Sequence, residues 1–198
     1  MTSLHQGEYM ADERARLIEI LRQTSVKETA EPTFRLASGK LSRYYVDCKQ
    51  ALSDPEARAL IGRLTSRLIK PDCYDAVGGL ELGAYPIGIA VSDELFRTSG
   101  VKLRVFVVRK EPKTHGIKDL IAGDVAAGDR ALIVEDVVTS GASTLKAIRR
   151  ARAAGLLVNQ VVALVDREEE NGAANLQAEE VQFTSLLELS DLLSSPRR

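Results

Sequence analysis

Residues 131–144, ALIVEDVVTSGAST, constrain the fold of this chain more than any other stretch. The four apolar residues 131–134 predict a short buried strand, and the carboxylates of Glu135 and Asp136 follow at once. A loop of small residues then leads into a helical pattern. Such a strand, loop and helix N-terminus can offer backbone N–H groups and hydroxyls to a phosphate.

The bulk composition predicts one globular domain. The 198 residues are 44% hydrophobic and 28% charged, with a net charge of −1. This balance provides no global basic field for nucleic acid, and no apolar run approaches the ~18 residues of a membrane span. Cys48 and Cys73 lack metal-ligand spacing, and the first residues show no apolar signal core. We therefore expect reduced thiols in a cytoplasmic protein.

Apolar runs alternate with helical patterns along the chain. The predicted strands cover residues 76–79, 101–108, 131–134, 160–165 and 181–184. The predicted helices cover residues 12–24, 54–69, 86–98, 143–154 and 186–193. Residues 34–49 predict a hairpin after a polar connector at 26–32. The alternation predicts an α/β fold with a mostly parallel sheet and helices on both faces.

A basic segment follows the predicted strand 101–108. It contains Arg109, Lys110, Lys113, His115 and Lys118. Most charge runs are solvated surface loops, whereas an irregular basic loop between two buried strands also suits an anion-binding lid. The pattern alone favours neither interpretation.

The carboxylates beside the phosphate-binding loop limit the chemistry. The stretch lacks both the lysine of a P-loop and the glycines of a dinucleotide fold. Glu135 and Asp136 would repel a phosphate unless they served another group, and ribose hydroxyls or Mg²⁺ fit them. They could also stabilise positive charge on an anomeric carbon. With the basic loop for a polyanionic leaving group, this set predicts glycosyl transfer from a ribose that carries a 5-phosphate and a 1-diphosphate.

ALIVEDVVTSGAST resembles the phosphoribosyl-diphosphate (PRPP) binding motif of type I phosphoribosyltransferases. Three further stretches resemble the orotate phosphoribosyltransferases of that superfamily. They are the basic segment RKEPKTHG at 109–116, the hairpin FRLASGKLSRYYVDCK at 34–49, and Asp166-Arg167-Glu168 after a strand. The matches run in order from about Phe34 to Arg167, which is most of the chain.

The resemblance implies a fold and a reaction. The fold would be the type I phosphoribosyltransferase fold, a single domain over 1–198 with a small N-terminal hood from about 1–50 and the C-terminal segment. The reaction would join orotate to PRPP with Mg²⁺, giving orotidine 5′-monophosphate and diphosphate in pyrimidine biosynthesis. The expected partners are these small molecules and a second copy of the chain, with no nucleic acid and no membrane.

The resemblance also implies residue roles. Glu135 and Asp136 would hold the ribose hydroxyls, with any Mg²⁺ near them. Arg167 would pair with a carboxylate or carbonyl of orotate, and Thr139 would lie near both substrates. The PRPP-binding loop and the strand end before it would comprise Val137, Val138, Thr139, Ser140, Gly141, Ala142 and Ser143.

The basic segment would serve the diphosphate. Lys110 would reach it from its own subunit, whereas Arg109, Lys113 and His115 would act in the neighbouring subunit's site of a homodimer. The expected catalytic residues are thus Lys113, Arg109, His115 and Asp136.

The sequence departs from some family members in its anion-binding residues. Ala37 stands where those members carry a lysine, and the loop LELGAYP also lacks one. Lys40 or Lys49 could replace that charge. The alternatives are a phosphoribosyltransferase for another nucleobase, which Arg167 and the basic segment argue against, and a non-catalytic PRPP-binding regulator. The residues before Phe34 are too few for a winged helix, which disfavours the regulator.

Overall fold

The computed structural model describes residues 3–36, 39–111 and 120–193. The strands are β1 (Val26–Glu28), β2 (Phe34–Arg35), β3 (Leu41–Ser42), β4 (Tyr44–Val46), β5 (Ala76–Leu80), β6 (Arg104–Val108), β7 (Ile121–Ala122), β8 (Arg130–Val138), β9 (Leu157–Asp166) and β10 (Gln182–Glu188). The helices are α1 (Ser3–Thr24), α2 (Lys49–Ser53), α3 (Pro55–Leu68), α4 (Ala84–Ser99), α5 (Ala142–Ala153), α6 (Gly172–Gln177) and α7 (Leu189–Leu193).

Six strands form the central sheet, in the order β10-β9-β8-β5-β6-β7. All neighbouring pairs are parallel except β6 and β7, which are antiparallel. The predicted mostly parallel α/β sheet is therefore confirmed. From β5 the chain adds β6 on one side, and β8 to β10 later extend the other side. This reversal makes the ends of β5 and β8 a topological switch point, where ligands bind in open α/β sheets.

The apolar run of β8 is buried on both faces of the sheet. Leu132 and Val134 pack into one core cluster with residues of α1, α3 and α4. Ala131 and Ile133 pack into a second cluster with residues of α5 and α6. Successive side chains of a strand point to opposite faces, so a strand covered by helices on both sides needs a continuous apolar run.

Two small antiparallel sheets precede the central sheet in the chain. Strand β2 pairs with β3, which confirms a hairpin within residues 34–49. Strand β4 pairs instead with β1, so residues 26–28, predicted as a polar connector, form a strand. Val26 of β1 lies opposite the buried Val46 of β4. This apolar cross-strand pair stabilises the short strand β1.

Several elements differ from their predicted bounds. Strand β8 continues to Val138 because its ladder with β9 extends as far as the pair Val138 and Asp166. Glu135 and Asp136 therefore lie in the strand itself rather than in the loop after it. Helix α6 was not predicted at all. Among the described residues, none of the helices has both the length and the apolar character to cross a membrane.

Candidate functional site

The predicted site residues that the structure describes gather at one edge of the sheet. Strands β5, β6, β8 and β9 are parallel, so their carboxyl ends meet there. Arg109 follows β6, Thr139 follows β8 and Arg167 follows β9. The structure thus brings together residues that lie far apart in the sequence, whereas Lys113 and His115 lie outside the described residues.

Glu135 is a buried acid. It is 4% exposed, and its carboxylate accepts a hydrogen bond of 3.1 Å from the Thr144 hydroxyl of α5. Burial raises the pKa of Glu135 well above its usual value, and the neighbouring charge of Asp136 raises it further. Because Thr144 lies in the first turn of α5, this contact also joins the strand to the helix.

Asp136 is only half-buried and lies against the backbone of the loop between β5 and α4. A Cβ atom added to Gly83 would lie 2.5 Å from Asp136 Oδ1, which is too close for two non-bonded atoms. Gly83 has an ordinary helical φ of −64°. Glycine is therefore required at position 83 because Asp136 occupies the space of a side chain there, and not because of the backbone conformation. The sequence marks this loop only as a turn.

The loop after β8 opens onto a helix N-terminus. Gly141 adopts a left-handed φ of 77° and caps α5, and no side-chain hydrogen bond caps that end among the described residues. Ala142 and Ser143 are exposed in the first turn. The first N–H groups of a helix have no partner within it, so this end suits an anion.

Helix α6 supports that loop from behind. A Cβ at Gly172 would overlap the carbonyl oxygen of Thr139, so the two segments pack backbone to backbone. Asn175 Nδ2 donates a hydrogen bond of 3.0 Å to the carbonyl of Ser140. Sequence reasoning missed both residues because α6 carries no strong apolar periodicity.

The start of the basic segment is fixed by backbone hydrogen bonds. The Arg109 N–H donates to the carbonyl of Leu120 at 2.8 Å. The Lys110 N–H donates to Glu81 Oε1 at 2.7 Å. Glu81 follows β5, so the segment begins beside the switch point of the sheet.

Arg150 of α5 adds a second anchor to this start. Its Nη1 donates to the carbonyls of Arg109 and Lys110, the latter at 2.8 Å. The helix that begins at the anion-binding loop therefore also holds the first residues of the basic segment.

Arg167 is a buried cation that contacts both the hairpin region and its own loop. It is 4% exposed, and its Nη2 donates to Ser42 Oγ and to the Tyr44 carbonyl, each at 3.2 Å. Its backbone N–H donates to the carbonyl of Val138 at 2.9 Å. A third partner is the carboxylate of Glu169. Arg167 thereby joins the small sheets to the end of β8.

The described residues offer limited positive charge near Asp136 and no protein metal cage. Lys49 donates to Asp47 Oδ1 at 2.9 Å. That hydrogen bond raises the pKa of Lys49, and the negative charge of Asp136 contributes as well. Ala37, where some family members carry a lysine, lies outside the described residues. No group of three or more metal-ligating side chains occurs in the described part of the chain.

Comparisons with known proteins identify relatives over nearly the whole chain, although none of the protein-family models matches. An orotate phosphoribosyltransferase of Aquifex aeolicus is 48% identical over 181 residues, which are 91% of this chain and 98% of that protein. The orotate phosphoribosyltransferase of Mycobacterium tuberculosis H37Rv, solved with Fe(III) dicitrate, is 38% identical with a TM-score of 0.76 over 92% of this chain and 99% of that one. The same enzyme solved with PRPP gives 34% identity and a TM-score of 0.72, over 91% and 92% of the two chains.

Proposed function

Because the chain belongs to the orotate phosphoribosyltransferase family, we propose that the carboxyl edge of its central sheet is the active site. The protein transfers the 5-phosphoribosyl group of PRPP to orotate, giving orotidine 5′-monophosphate and diphosphate in pyrimidine biosynthesis. One observation supports this placement most strongly. Two carboxylates, an open helix N-terminus and a buried guanidinium meet where β8 and β9 end.

Residues 135–143 hold PRPP in this proposal. The N–H groups and hydroxyls of Thr139, Ser140, Gly141, Ala142 and Ser143 bind the 5-phosphate at the start of α5. Val137 and Val138 carry the strand into that loop.

The two carboxyl groups accept hydrogen bonds from the ribose hydroxyls. Asp136 is the more exposed of the two, so it is the more accessible to the ribose. Burial favours the protonated form of Glu135, which limits the repulsion between the acids and the substrate's phosphates.

Orotate binds between Thr139 and Arg167. The planar donor edge of a guanidinium suits a carboxylate, and the low exposure of Arg167 strengthens such a pairing. N1 of orotate, having lost its proton, forms a bond to the anomeric carbon as the bond from that carbon to the diphosphate oxygen breaks. The electron pair leaves with the diphosphate.

The basic segment neutralises the departing diphosphate. Lys110 acts in its own subunit, and Arg109, Lys113 and His115 act in the neighbouring site of a homodimer. Alignment of the two substrates and neutralisation of this charge are the main sources of catalysis.

Mg²⁺ is the proposed cofactor. The described residues do not fit a metal held by the protein alone, since they form no cluster of three ligating side chains. Glu135 and Asp136 would lie near the ion, and the phosphate oxygens of PRPP would supply its ligands. When bound, the ion offsets negative charge on the diphosphate.

The remaining features follow from the family. We place the protein in the cytoplasm as one domain over 1–198, with a hood from about 1–50 and the C-terminal segment. Arg22 of α1 supports the pairing of these two segments, because its Nε donates to the carbonyl of Leu192 at 3.0 Å.

Base choice is tested by product formation from PRPP and Mg²⁺ with orotate, uracil, adenine and hypoxanthine as separate acceptors. Orotidine 5′-monophosphate should be the main product. Faster transfer to any of the other bases would overturn the assignment to orotate. A protein that binds PRPP but turns over none of the four bases would indicate a regulator instead.

Loop sharing is tested with two inactive variants, Lys113→Ala and Asp136→Asn. Each mixed dimer should contain one site with an intact strand end and an intact neighbouring segment, so mixing restores part of the activity. No recovery after demonstrated subunit exchange would contradict the sharing.

A further inference from the structure

The guanidinium of Arg167 already holds a carboxylate of the protein itself. Its Nε donates to Glu169 Oε2 at 3.1 Å, and its Nη2 donates to Glu169 Oε1 at 3.2 Å. One edge of the guanidinium therefore faces both oxygens of one carboxylate, as it would with a carboxylate ligand. Glu169 therefore fills the Nε–Nη2 edge, which is one of the edges that could receive such a ligand.

The pair of Arg167 and Glu169 compensates a buried charge when no substrate is bound. The Arg167 side chain is 3% exposed, and a buried cation without an acceptor is strongly unfavourable. Glu169 supplies the compensating charge. Its own side chain is 29% exposed, so its other surroundings include water.

Arg167 does not depend on Glu169 for its position. Ser42 and Tyr44 accept hydrogen bonds from its Nη2, and its backbone is bound to the carbonyl of Val138. These contacts come from the small sheets and from β8. They remain in place if the Glu169 side chain turns away.

Glu169 can turn away without moving a helix or strand. It lies in the loop between β9 and α6, outside both elements. Its neighbours Glu168 and Glu170 have left-handed φ values of 54° and 55°, which mark an irregular backbone on either side. The partly exposed carboxylate needs only a side-chain rotation to become solvated.

We propose that Glu169 is a placeholder for the substrate's carboxylate, which displaces it from Arg167 when the pyrimidine binds. This inference rests on the proposed function, in which Arg167 binds orotate through its carboxylate. Glu169 is then a specificity-determining residue that acts through Arg167. The ligands it selects are pyrimidines that carry a carboxylate.

The selection follows from the exchange of one anion for another. A carboxylated pyrimidine replaces the charge that it removes, so the buried guanidinium stays paired throughout. A base without a carboxylate offers no such replacement and must bind with Glu169 still on Arg167. The affinity for a carboxylated ligand thus depends on the difference between the pairing of Arg167 with the ligand and its pairing with Glu169. Removal of the Glu169 charge should therefore increase this affinity.

The test compares two nucleotides that differ only in this carboxylate. Orotidine 5′-monophosphate carries it and uridine 5′-monophosphate lacks it. Calorimetric titration should show that Glu169→Gln tightens binding of orotidine 5′-monophosphate about tenfold, because a competing charged hydrogen bond is lost. Binding of uridine 5′-monophosphate should change less than about twofold on the same grounds. Glu168→Gln removes the same charge from the exposed neighbouring residue and should alter neither affinity.

The outcomes separate the exchange from the function on which it rests. Unchanged or weaker binding of orotidine 5′-monophosphate by Glu169→Gln overturns the exchange, and so does equal tightening of both nucleotides. Retained binding of uridine 5′-monophosphate shows that the variant is folded. A wild-type protein that forms no orotidine 5′-monophosphate refutes the proposed function itself, whereas normal turnover without the selective tightening refutes only the exchange.

Discussion

Gly83→Ala perturbs the proposed site through one methyl group. The new Cβ would lie 2.5 Å from Asp136 Oδ1, whereas an ordinary non-bonded contact needs about 3.5 Å. The carboxylate must therefore move by about 1 Å, the difference between those distances. Its displacement costs little stability because it is the end of a flexible side chain. The helical φ of −64° at Gly83 also suits alanine.

The consequence for catalysis is much larger than that for stability. A displacement of about 1 Å at a reacting centre can lower the rate about 100-fold, so we expect a loss of kcat/KM of that order. Steady-state kinetics with PRPP and orotate measure this, and thermal unfolding checks the fold. Gly88→Ala in α4 is the matched control, since its Cβ meets no atom closer than 3.4 Å. If Gly83→Ala keeps kcat/KM within about threefold of wild type, Asp136 does not act from this position.

Three further variants test other parts of the site. Arg150→Gln removes the donor to the Arg109 and Lys110 carbonyls and should lower kcat/KM for PRPP about tenfold. The control Arg149→Gln loses an exposed ion pair with Glu179 and should leave kcat/KM unchanged. Equal kinetics for the two variants would refute the role of Arg150 as an anchor. Glu135→Gln tests the raised pKa. The native state holds the Glu135 proton more tightly than the unfolded chain does. Protonated Glu135 therefore contributes its full stabilisation of the native state below the usual pKa of 4.5, and this contribution declines as pH rises through the pKa of the native state. Urea unfolding should therefore show less loss of stability between pH 5 and pH 8 for the variant than for wild type, and parallel curves would contradict this. Lys113→Ala should lower kcat about 100-fold, as loss of one preorganised cation does, and unchanged turnover would refute its role.

The sequence predicted the architecture well where burial dictates the pattern. The apolar run of β8 is continuous because both faces of that strand are covered, and Leu132 and Ile133 pack into different core clusters. The parallel sheet and the carboxyl edge follow from that alternation of strands and helices. The pair Glu135 and Asp136 was also visible, although its place inside the strand was not.

The missed features depend on contacts between distant segments. Gly83 is needed because Asp136, more than fifty residues later, takes its side-chain space. Asn175 matters through a hydrogen bond to Ser140, which lies 35 residues earlier. Glu169 is the exception, since it lies only two residues after Arg167, but its pairing depends on the direction of both side chains. No local pattern encodes such pairings. A short helix such as α6 and a two-residue strand such as β7 also carry too few residues for a periodicity to be read.

The most direct measurement is a crystal structure of the protein with PRPP bound. We expect ribose hydroxyls within hydrogen-bonding distance of the Glu135 and Asp136 carboxyl groups. We also expect the 5-phosphate against the N–H groups of Thr139 to Ser143, at the start of α5. A ribose bound away from both acids, or a phosphate bound away from that helix N-terminus, would refute the proposed site.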